Sequence, residues 1–122
     1  MKSLNFGTTS IVAALVVLAT VCSAAAGSLA GSEGDKRFSP QLPHNEKDAC
    51  PKAYKAYVAA SGHSAYATTS FVRVRDGFIL CGAHYNAPSQ KAAEDLAMKS
   101  CLSARAHYKV AAAGYCQIAA SK

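Results

Sequence analysis

The sequence predicts an α+β fold, a small disulfide-stapled domain in the order helix, β-hairpin, helix, strand. Three observations lead there. An apolar N-terminal run followed by small residues has the form of an export signal. Four cysteines lie beyond it, an even number in a short chain bound for an oxidising compartment. Around and between them, two stretches with apolar spacings of three and four flank one of alternation centred on Asp76-Gly77.

The signal reads as Lys2, the uncharged run from Ile11 to Val21, and the small residues "CSAAAG". A spanning helix needs roughly 20 apolar residues, so this shorter run is expected to be removed, leaving no transmembrane segment. Two small-x-small sites compete, one cutting before Gly27 and one before Ala25, and either discards Cys22. Val21 stands where a lipoprotein site would want a small residue. Residues 1–26 are therefore expected as a signal peptide and the mature protein as secreted or periplasmic, with Cys50, Cys81, Cys101 and Cys116 retained. Residues 27–47 are rich in Gly, Ser, Pro and mixed charge, which predicts a flexible leader. Lys36-Arg37 within it has the form of a dibasic processing site, although a charged pair in a linker is ordinarily only solvated.

The domain is expected over residues 48–122, short enough to need staples. Asp48 as N-cap, Pro51 in the first turn and Gly62 as a stop bound a first helix with Ala53, Tyr54, Tyr57, Val58 and Ser61 on one face. A hairpin follows, its first strand from Ser64 to Val74 with a bulge near Ser70, its second from Phe78 to Tyr85. On the second strand Ile79, Cys81, Ala83 and Tyr85 share one face, and Phe78, Leu80, Gly82 and His84 the other. Ser89 caps the long helix "SQKAAEDLAMKSCLSARAHY", whose small-residue face is Ala93, Leu96, Ala97, Ser100, Cys101 and Ala104. Gly114 precedes a terminal strand on which Cys116, Ile118 and Ala120 point one way. Pairing that strand with the first hairpin strand gives a three-stranded antiparallel sheet with the long helix on one face.

Cys81 and His84 have a spacing that binds zinc in a turn, but on a strand they point to opposite faces, so no metal and no cofactor is expected. Four cysteines allow three pairings. The sheet-facing Cys101 can reach Cys116 on the neighbouring strand, which leaves Cys50 for Cys81.

The run "HSAYATT", a glycine-containing second strand, "NAPSQKAAEDLAMKSC" and "GYCQIAAS" together resemble a group of small exported bacterial α+β domains of unknown function. That group carries an A-x-x-x-A-L-x-x-C helix followed by a C-x-I/V-x-A strand. Here the helix motif falls on Ala93, Ala97, Met98 and Cys101, with Met98 in place of leucine, and the strand motif on Cys116, Ile118 and Ala120. The resemblance implies a compact periplasmic or secreted domain and transfers no catalytic residue.

The net charge of +6 falls to +5 without Lys2, which favours anionic surfaces without specifying one. With no Trp and no basic-aromatic sheet motif, specific nucleic-acid binding is not expected. The expected function is a non-enzymatic binding or interaction module at the cell envelope or outside the cell. Its partner would be an envelope or extracellular protein, or an anionic glycan or lipid. Arg73, Arg75, Tyr66 and His84 form the candidate patch, and the bland alternative is a merely soluble strand edge. A competing reading is a small hydrolase using a surface histidine. His63, His84 and His107 with Asp76, Glu94 and Asp95 supply acid and base groups, but no nucleophile is spaced beside them.

Overall fold

The first strand of the sheet comes from the segment expected to be a leader. The computed structural model describes residues 27–69, 78–108 and 114–122. Its elements are β1 (Asp35–Lys36), α1 (Ala49–Ala59), β2 (His63–Thr69), β3 (Cys81–Ala87), α2 (Gln90–Tyr108) and β4 (Cys116–Ser121). The sheet has four strands, not three, in the order β1-β4-β2-β3 with every pairing antiparallel. The terminal strand lies beside the first hairpin strand, as the crossover argument required. The hairpin turn at Asp76-Gly77 and the bulge expected near Ser70 lie outside the described residues.

Two residues of β1 pair with Ser121 and Ala120, and Arg37 continues the ladder by donating its N–H to Ala119 O at 2.8 Å. The same stretch is anchored from α2, where Glu94 accepts from the Arg37 guanidinium at 3.0 and 3.1 Å. Upstream, Leu29 and Gly31 donate to Ser61 O and Val58 O at 2.9 and 2.7 Å. Residues 29–38 thus run along the domain through backbone bonds, which composition does not reveal.

The sheet divides two apolar clusters. On one face α2 sets Ala93, Ala97 and Cys101 against Ala65, Ala67, Cys116 and Ile118. Leu96 and Ser100, expected on that helix face, are exposed at its edge. On the other face α1 sets Ala53, Tyr54, Tyr57 and Val58 against Tyr66, Ala83, Tyr85 and Ala120. Ala120 therefore does not share a face with Cys116 and Ile118. The register shifts by one residue between Tyr66 and Ala67, leaving Ala119 as a bulge that turns the end of β4 over.

Gly82 lets α2 lie this close. A Cβ there would meet the backbone of α2, at 2.2 Å from Cys101 N and 2.5 Å from Ala97 O. Ser89 caps the helix by accepting from Ala92 N–H at 3.1 Å. Asp48 has the extended backbone of an N-cap but makes no side-chain cap bond to α1, and its carboxylate accepts instead from Asn45 Nδ2 at 3.1 Å. The helix stops at Ala59, short of Gly62, whose N–H donates to Asn86 Oδ1 at 2.8 Å.

Two disulfides, Cys50–Cys81 and Cys101–Cys116, join the pairs named from the sequence. The first ties the start of α1 to β3, the second ties α2 to β4. With sequence separations of 31 and 15, the loop-entropy relation gives them about 3.7 and 3 kcal/mol.

Candidate functional site

Of the sequence-predicted patch, Tyr66 and His84 lie within the described residues, and they sit on opposite faces of the sheet. Tyr66 pairs with Ala83 while His84 pairs with Ala65, so neighbours in the ladder point to opposite faces. Tyr66 is fully buried under α1, whereas His84 is half-buried on the α2 face with Gly82. Arg73 and Arg75 lie outside the described residues. Of the carboxylates considered for acid-base work, Glu94 pairs with Arg37 and Asp95 with Lys91 at 3.1 Å, and Asp76 lies outside the described residues. His63 and His107 are exposed at the start of β2 and the end of α2.

The buried tyrosines form packing and hydrogen bonds rather than a stacking platform. Tyr54 donates to Glu33 Oε1 at 3.0 Å, Tyr57 to Glu33 O at 2.5 Å and Tyr85 to Ala53 O at 3.0 Å. Burial pushes the Tyr66 phenol up to about 12, and burial with the Glu33 bond does the same for Tyr54. Burial also raises Tyr57 and Tyr85. Glu33 itself is drawn below the usual carboxylate range by its bonds to Lys36 and Tyr54.

Lys122, for which the sequence suggests no role, is buried. Its Nζ lies 2.9 Å from Leu29 O, 3.1 Å from Ser32 O, 3.1 Å from Val58 O and 2.7 Å from Ala60 O. The Tyr57 ring centroid is 5.3 Å away. Burial lowers its pKa. This cage binds residues 29–32 and the end of α1 to the residue that follows β4.

The open site is a groove of about 870 Å³ at the other end of α1, within the usual range for ligand clefts. Three segments build it. The start of α1 supplies Ala49 and Cys50, the approach to β3 supplies Phe78, Ile79 and Leu80 before Cys81, and the last turns of α2 supply Ala104 and Tyr108 four residues apart. Two backbone anchors fix the β3 side, since Thr69 N–H donates to Leu80 O at 2.9 Å and Leu80 N–H to Thr69 Oγ1 at 3.1 Å. Phe78 is 69% exposed and Tyr108 62%, which marks aromatic surface left out of both clusters. Among the described lining residues Asp48 is the one charged side chain, and it is already bonded by Asn45. A smaller cleft of about 450 Å³ lies between α2 and the β1-β4 edge, where Arg37 and Glu94 close on each other.

Fold and site together define a small cysteine-containing α+β domain with two disulfides and an apolar groove. Comparison with family models, with curated proteins and with solved structures finds no match. Among the described residues no helix is long and apolar enough to cross a membrane, and no three His, Cys, Asp or Glu side chains are grouped as a metal site.

Proposed function

We propose that the protein is an exported binding module that holds an apolar protein segment in the groove beside Cys50–Cys81. The groove with exposed Phe78 and Tyr108 on its walls carries this reading. Exposed aromatic side chains around a preformed apolar cleft are the composition of a protein-binding hot spot. Among the described residues the lining offers no cation and one carboxylate, which does not favour an anionic glycan or lipid there. The two disulfides are consistent with export to an oxidising compartment. Fractionation followed by N-terminal sequencing should find the protein outside the cytoplasm with a start at Gly27 or Ala25, and recovery in the cytoplasm alone with a start at Met1 would refute export.

Binding is tested by selecting a displayed random peptide library on the oxidised domain. Peptides with aromatic or aliphatic anchors are expected, and Phe78→Ser/Tyr108→Ser is expected to weaken them at least about tenfold, as loss of two anchors should. Selected peptides that bind the double variant equally well, or are enriched only in acidic residues, would overturn the reading.

A further inference from the structure

We propose that Cys50–Cys81 is a thiol–disulfide exchange site attacked at Cys81 by an external dithiol, while Cys101–Cys116 is permanent. The two bridges sit in different surroundings. Cys101 is fully buried and Cys116 is 7% exposed, enclosed between α2 and the sheet. Cys50 and Cys81 both line the open groove, and Cys81 is the more exposed of the two. Cys50 is itself buried at 6%, so the access that exchange requires is given at Cys81, the one half-buried cysteine among these four.

The two sulfurs of the open bridge are also unequal in chemistry. Cys50 is the second residue of α1, where the helix N-terminus stabilises a thiolate, whereas Cys81 begins a strand. A lower-pKa sulfur leaves faster, and the more open sulfur is the one an incoming thiolate reaches. Both arguments select Cys81 as the point of attack and Cys50 as the leaving group.

In the first step the incoming thiolate bonds to Cys81 Sγ as the Sγ–Sγ bond breaks, and the electron pair departs on Cys50 Sγ. The second thiol of the dithiol, deprotonated in turn, attacks its own sulfur in the mixed disulfide and releases Cys81 as a thiolate. The dithiol ends as a disulfide and the two cysteines take up its two protons. Opening the bridge frees the first turn of α1 from β3, and with it one wall of the groove. Nothing in this step requires that the groove hold a protein ligand.

The test uses the native, fully oxidised protein at about pH 8, near the ordinary thiol pKa. Dithiothreitol is added for graded times, free thiols are alkylated, and peptides are mapped, with amide hydrogen exchange of β2 and β4 followed in parallel. Cys50 and Cys81 are expected to become alkylated at least about tenfold faster than Cys101 and Cys116, before protection in β2 and β4 is lost. In a second arm glutathione replaces dithiothreitol, and acid-trapped mixed disulfide is expected on Cys81. The proposal is overturned if both bridges open together at the rate of exchange in β2 and β4, if Cys101–Cys116 opens first, or if glutathione is recovered on Cys50.

Discussion

Replacing Gly82 by alanine is expected to force α2 away from the sheet. The added methyl would lie 2.2 Å from Cys101 N, 2.5 Å from Ala97 O and 2.8 Å from the Ser100 carbonyl carbon, all backbone atoms of one helix. Ordinary contact begins at about 3.4 Å, so the helix must withdraw by roughly 1 Å, and no side-chain rotation relieves the clash. Withdrawal loosens Ala93, Ala97 and Cys101 against β2 and β4 while the Cys101–Cys116 bridge resists it. Overpacking of this kind destabilises by about 3 kcal/mol, at the upper end of its range because the obstacle is backbone. In a domain of this size that lowers Tm by roughly 12–24 °C. Thermal unfolding of the oxidised variant by circular dichroism measures it. Gly62→Ala serves as a milder comparison, since its new Cβ would lie 3.0 Å from Asn86 Oδ1 and 3.1 Å from Asn86 Cα, and should cost about 1 kcal/mol, roughly 4–8 °C in Tm. A Gly82→Ala variant melting within about 3 °C of wild type would refute the close-approach argument.

Two further outcomes are expected. Lys122→Met should destabilise by about 2–4 kcal/mol, because carbonyls of Leu29, Ser32, Val58 and Ala60 lose a charged donor. Urea unfolding measures the loss, and hydrogen exchange should speed at the Leu29 and Gly31 amides before the rest of the chain; a change below about 1 kcal/mol would count against the cage. The raised phenols of Tyr54 and Tyr66 favour the protonated form in the folded state, so their contribution is complete below pH 10 and is lost as pH rises towards 12. Absorbance at 295 nm should show these phenols ionising with unfolding between those values, and stability independent of pH up to 12 would contradict their burial.

The helices and the disulfide pairing were legible because both rest on local spacing. Ala93, Ala97 and Cys101 recur at four-residue steps, so the face of Cys101 follows from the helix period, and its reach to β4 follows from that face. β1 was illegible because its two residues are exposed and its ladder uses only backbone groups. The position of Ala120 was misread because a single bulge residue reverses every later side chain, and alanine sequence carries no mark of it. Tyr66 and His84 lie close along the hairpin, but closeness in sequence does not reveal that the ladder puts them on opposite faces. The groove had no local signature at all, being assembled from three segments distant in sequence.

The placement of that groove follows from how α2 divides its length. Its first three turns are written in alanine where they meet the sheet, and Gly82 brings them in so closely that little area is needed beyond the Cys101–Cys116 staple. Its last two turns carry Leu102 at 50% and Tyr108 at 62% exposure, side chains too large for that close interface. The side chains of α2 that meet the sheet are thus small, and its large exposed ones, Leu96, Leu102 and Tyr108, lie off that contact. A chain under pressure only to be stable would bury Tyr108 and Phe78, worth roughly 2 kcal/mol each. Leaving both on the walls of one cleft, beside the more accessible disulfide, concentrates the unspent apolar surface where a partner segment gains most by covering it.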